Sequence, residues 1–209
     1  MHLTFKKGFD GDLEKLPKRE VPGAVQFKEY ESIEKLSLVA NLLAVGIAIV
    51  FAIPVVLRMI GYIKMGRFEI GLDQLILLLV LEIVTIPVHE CLHASVFKGE
   101  VEFYTYLKKG LAFVVGPEDM TKTRFVLMSL CPNIVLGFVP YILYFFMPGQ
   151  FWLGIWALGN IAAGAGDYIN IYHALTQMPK GSLTFMSGMH SYWHMPGQNE
   201  QSGKTAGKD

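Results

Sequence analysis

The chain has 209 residues, of which 52% are apolar and 17% charged, with a mean hydropathy of +0.39. That balance is more apolar and less charged than an ordinary soluble domain, and a formal net charge of zero gives no electrostatic footprint for nucleic acid. The two cysteines, Cys91 and Cys131, lie in apolar stretches outside any C-x-x-C, which argues against a disulfide framework.

Residues 1–35 are polar and carry Lys6, Lys7, Lys15, Lys18, Arg19, Lys28 and Lys35. They read as a cytoplasmic N-terminal segment and not as a signal peptide. Four apolar stretches follow, each long enough to cross a bilayer, which takes roughly 20 helical residues. They run from about Leu36 to Ile63, Leu72 to Phe97, Phe125 to Met147 and Phe151 to Leu175. Between the second and third, VEFYTYLKKGLAFVVGP is rich in Val, Phe and Tyr around a KKG turn signal, and predicts a small β-hairpin. After about residue 180 comes a tail whose last part, PGQNEQSGKTAGKD, reads as disordered.

Lys and Arg placement orients these spans. With both termini inside, fifteen of the eighteen basic residues are cytoplasmic, and only Arg58, Lys64 and Arg67 border the outer loops. The expected fold is therefore a membrane all-α domain over 36–180. It has four transmembrane helices, a cytoplasmic hairpin between spans two and three, and a partly disordered cytoplasmic tail over 181–209.

Span two ends in HECLH, residues 89–93. Residues four apart share a helix face, so His89 and His93 can turn nitrogens toward one metal ion. Glu90 can reach a metal-bound water without ligating the metal. Two His and a Glu so spaced form the zinc-hydrolase pattern, with Glu90 as the base. A chance match is common in soluble chains. A charged side chain inside a membrane costs roughly 2.5–3.5 kcal/mol, so three adjacent polar groups there call for a function.

Catalytic zinc takes three protein ligands. Asp167 is the only acidic residue of span four. It lies about as far into its span as His89 does into span two, and both spans run from outside to inside. Asp167 is thus the leading third ligand, with His173, His190 and His194 as alternatives. Asn133, in the CPN of span three, offers an amide to a substrate or an oxyanion, or a plain interhelical hydrogen bond. Glu82 reads as a buried or paired carboxyl, and HSYWH (190–194) as an interfacial segment.

HECLH together with AAGAGD resembles the bacterial family of putative zincin peptidases, and in its site the intramembrane zinc metalloproteases of the site-2-protease type. The resemblance spans about 36–180. It implies one zinc held by His89, His93 and Asp167, with Glu90 as base and a membrane-protein or peptide substrate cut near the cytoplasmic side. The chain departs from site-2 proteases in the setting of the Asp, GNIAAGAGDYIN, and has no PDZ-like insertion. A non-catalytic metal-binding membrane protein is the alternative reading, and a purely structural four-helix protein a further one. The bilayer is the expected environment, nucleic acid is not an expected partner, and oligomeric state is left open.

Overall fold

The structure is a computed structural model that describes residues 2–6, 8–30, 32–106 and 111–197. In chain order it contains strand β1 (His2–Phe5), a short 3-10 turn (Leu13–Lys15), β2 (Val25–Gln26), helices α1 (Ile33–Lys64) and α2 (Leu72–Ser95), and strands β3 (Glu100–Tyr106), β4 (Leu111–Val115) and β5 (Met120–Thr121). Then follow α3 (Lys122–Pro132), a π-helical segment (Asn133–Phe138), α4 (Val139–Phe146), α5 (Phe151–Ala163), α6 (Ala165–Gln177), β6 (Leu183–Ser187) and β7 (His190–His194). The chain divides into two compact units, one of residues 1–29, 90–128 and 170–209, the other of residues 30–89 and 129–169.

The second of these units is helical and apolar. Its longest helix, α1, has 32 residues and starts on Ser32, whose side chain caps the Lys35 N–H. Apolar residues line α1 on every side, and Leu38, Leu42, Ile49, Val50 and Leu57 remain exposed, as do Leu79, Val80 and Ile83 on α2. A helix apolar all round has no aqueous face to offer, which fits a lipid environment. The core of the unit gathers Val55, Tyr141, Tyr144, Phe151, Leu153, Ala157 and Ile161. Close approach is secured by Gly154, where a Cβ would sit 3.0 Å from the Tyr144 ring. Arg58 is held by its own aromatic neighbours. It donates to the Phe145 carbonyl at 2.7 Å and lies 4.9 Å from the Tyr144 ring centroid.

Among the described residues, three helical stretches are long and apolar enough to cross a membrane: Glu34–Lys64, Leu72–Ser95 and Lys122–Phe146. They match the first three expected spans. The fourth differs. What reads in sequence as one helix from Phe151 to Leu175 is two helices of 13 residues each, broken at Gly164 (φ −68, ψ 8). The residue at the break has to be glycine, because the Asn133 side chain occupies the space a Cβ on residue 164 would need. At 1.5 Å per residue, α5 is about 20 Å long, short of the roughly 30 Å of a bilayer core.

The other unit is built on two small sheets. One has strand order β1-β3-β4, with β1 parallel to β3 (Leu3 opposite Val101) and β3 antiparallel to β4 (Tyr104 opposite Phe113). The hairpin expected after span two is therefore present, and β1 joins it from the far N-terminus; the KKG turn itself lies outside the described residues. The second sheet, β2-β7-β6-β5, is antiparallel throughout. HSYWH is its strand β7. Gly188 (φ +60) opens the tight turn that pairs β7 with β6, as a type II′ hairpin requires. Residues 198–209, most of the tail read as disordered, lie outside the described residues. Phe27, Ala94, Phe97, Val101, Phe103, Val114, Met120, Phe125, Met128, Ala174 and Met178 form the core.

Charged groups tie the N-terminal segment to these strands. Arg19 makes a bidentate pair with Asp119 at 3.0 and 2.9 Å, and His194 Nε2 reaches the same carboxylate at 3.0 Å. Glu118 accepts from the Lys98 and Gly99 amides and pairs with Arg124. Burial pushes the Asp119 carboxyl up, but the bonds from Arg19 and His194 outweigh it and hold it below the usual range. A lowered carboxyl pKa stabilises the fold above the unfolded value, about 3.9, and that contribution is lost as pH falls through the folded value. Arg19→Ala should therefore cost about 1–3 kcal/mol at neutral pH, and thermal unfolding in detergent should show the gap to the parent protein closing below about pH 4.

Candidate metal centre

The site begins on α2. HECLH occupies its last two turns, so the helix itself sets the spacing of His89, Glu90 and His93. Their ligand atoms all lie within 4.8 Å of one another, and among the described residues this is the group of three or more His, Cys, Asp or Glu side chains that could hold a metal ion. His89 and Glu90 are partly buried and His93 is buried. Pro87, two residues before His89, lies within the same helix.

His93 Nδ1 lies 2.8 Å from the backbone carbonyl of Met128. A carbonyl only accepts, so Nδ1 carries the proton and Nε2 carries the lone pair. Fixing the tautomer by a carbonyl on the other ring nitrogen is how metal-binding histidines are oriented. Residue types do not name this partner, because a backbone atom has no residue signature. The one available signal was Pro132, four residues beyond Met128.

His89 faces a different element. Its Nε2 lies 3.3 Å from Asp167 Oδ2, with the two side chains only 19% and 13% exposed. Asp167 sits in the first turn of α6, just past the break at Gly164. The depth match read from the two spans thus corresponds to a side-chain approach. Two ligands on a tetrahedral zinc at roughly 2.0–2.1 Å stand about 3.3–3.4 Å apart, so the separation suits a shared ion as well as an ion pair.

Asn133 completes this side. It is 1% exposed and opens the π-helical segment. Its Nδ2 donates to Asp167 Oδ2 at 2.8 Å and to the Ser129 carbonyl at 3.0 Å. The interhelical hydrogen bond foreseen for this amide is therefore made, and its partner is the carboxylate proposed as a ligand. An oxyanion role needs a spare donor, and both N–H groups are engaged here. Asn133 Oδ1 and Ser129 Oγ are buried without a hydrogen-bond partner. Orphaned polar atoms beside a His–Asp pair fit a site that receives water or a polar ligand.

The remaining sequence candidates lie elsewhere. His190 pairs with Glu29 at 2.9 Å and His194 with Asp119. His173 is buried on α6, and Cys91 and Cys131 are free thiols. Glu82 is exposed on α2 with Oε1 turned toward Gly159, where a Cβ would lie 3.3 Å from it.

The donor set fits zinc: imidazole nitrogens with an aspartate oxygen, one imidazole fixed by a carbonyl, and a glutamate beside them. No curated protein and no solved structure matches the chain. Residues 82–183, which carry HECLH, Asn133 and Asp167, match the model of the family described as "Putative zincin peptidase".

Proposed function

We propose that the chain is a zinc-dependent metalloendopeptidase of the cell membrane, similar in its site to the site-2-protease type. Its substrate is a membrane-protein segment or peptide, cut near the cytoplasmic face. The observation that carries this reading is the pairing of the HECLH helix with Asp167 on a separate helix, at 3.3 Å from His89. The exposed apolar faces of α1 and α2 support a membrane setting.

His89, His93 and Asp167 would hold one zinc ion. When bound, zinc supplies the Lewis acidity that makes water a nucleophile near neutral pH and polarises a peptide carbonyl. Glu90 takes a proton from the attacking water as its oxygen bonds to the carbonyl carbon. As the C–N bond breaks, Glu90 passes that proton to the departing amine, so the carboxylate begins and ends the cycle ionised. The Met128 carbonyl keeps His93 in the tautomer whose Nε2 can bind metal. The apolar walls of the helices limit bulk water around these groups, which strengthens their electrostatic effect.

Three outcomes test the reading. Glu90→Gln keeps zinc near the parent level by elemental mass spectrometry, yet lowers cleavage of a membrane-peptide library by at least about 100-fold; full activity in that variant would remove Glu90 as base. Asp167→Ala lowers the zinc content of detergent-purified protein, and an unchanged content would move the third ligand elsewhere. For orientation, Gly149→Cys in a background lacking Cys91 and Cys131 reacts in intact cells with a membrane-impermeant maleimide. Labelling only after lysis would reverse the topology.

A further inference from the structure

Two consecutive residues of span three, Pro132 and Asn133, bear on both sides of the proposed metal centre. Proline has no N–H, so at position 132 it cannot bond the carbonyl four residues earlier, and its ring crowds that carbonyl. The carbonyl four residues earlier is that of Met128, the atom that His93 Nδ1 reaches at 2.8 Å. An ordinary residue at 132 would send a helical N–H to the same oxygen. Pro132 is fully buried and lies inside α3, where a proline is otherwise only a cost to the helix.

Asn133 acts on the other ligand pair. Its two N–H groups go to the Ser129 carbonyl and to Asp167 Oδ2. Turning the amide over would set its oxygen against a carbonyl and a carboxylate, so the observed orientation is the one that can bond. The consequence is an orphaned Oδ1 buried against Gly164, where even a methyl group would collide with the amide. Leaving a buried acceptor unsatisfied costs stability. A bond that served only to join two helices could be made without that penalty; one that fixes a carboxylate's direction needs the amide donor at this point.

We infer that Pro132 and Asn133 are the positioning residues of the metal centre. Pro132 frees the Met128 carbonyl to orient His93, and Asn133 orients the Asp167 carboxylate, with Gly164 making room for the amide. This rests on the reading of His89, His93 and Asp167 as zinc ligands. Outer partners of this kind change metal affinity by roughly 10- to 100-fold without touching the ion.

The test uses the full-length protein in detergent and two variants, Pro132→Ala and Asn133→Leu. Zinc affinity is measured by competition with a chelator, the visible spectrum of the cobalt-substituted protein reports ligand geometry, and melting of the metal-free protein reports the fold. Both variants should bind zinc roughly 10- to 100-fold more weakly and show an altered cobalt spectrum. Metal-free Pro132→Ala should melt no lower than the parent, since alanine restores a helical hydrogen bond. Parent-like affinity and spectrum in both variants would overturn the inference and leave the two residues as packing elements. So would a loss of zinc in Pro132→Ala that only follows a lower melting temperature. Should the parent protein itself bind no zinc, the metal-centre reading fails first, and the inference falls with it.

Discussion

Polar side chains on apolar helices must find their partners inside the protein, and this constraint organises the centre of the molecule. His89 on α2, Asp167 on α6 and Asn133 just past α3 lie in largely apolar stretches of the chain. Each one meets another: imidazole with carboxylate, carboxylate with amide, amide with a backbone carbonyl. In a low-dielectric setting such bonds are strong and an unmade one is expensive.

The backbone irregularities follow from the same need. Pro132 inside α3, the π-helical segment after it and the break at Gly164 would each weaken an isolated helix. All three lie where Asn133 approaches Asp167. An ordinary residue at 132 would place an N–H on the Met128 carbonyl, and any side chain at 164 would fill the space of the Asn133 amide. Irregularity is tolerated because the freed groups are taken up by side chains, which is the condition under which membrane helices accept such breaks. In the unit of small sheets, by contrast, charges do the fastening: Arg19, Asp119 and His194 join the N-terminal segment, the approach to β5 and strand β7.

Much of this was legible from residue order. Long apolar runs announce α1, α2 and the stretch from α3 to α4, because helix length against bilayer thickness is a property of sequence alone. HECLH declares its own geometry, since i and i+4 fall on one face of any helix. The β3–β4 hairpin was visible in its aromatic and branched residues. The second sheet was not: β2 and β5 are two residues each and carry no periodicity, and β7 pairs with β6 across a glycine turn. The parallel partnership of β1 with β3 joins residues about a hundred positions apart, which no local pattern encodes.

The sequence by itself determined the chemical types and the helical spacing of His89, Glu90 and His93, and it singled out Asp167 as the acidic residue of the last apolar stretch. Whether His89 and Asp167 meet, and what orients each ligand, was decided only by tertiary structure. The approach of Asp167 to His89 depends on how α6 packs against α2, and Gly164, shortly before Asp167, leaves room for the Asn133 side chain of another helix. The tautomer of His93 is set by a backbone carbonyl whose availability depends on a proline four residues further on, a relation that becomes physical only when the helices pack.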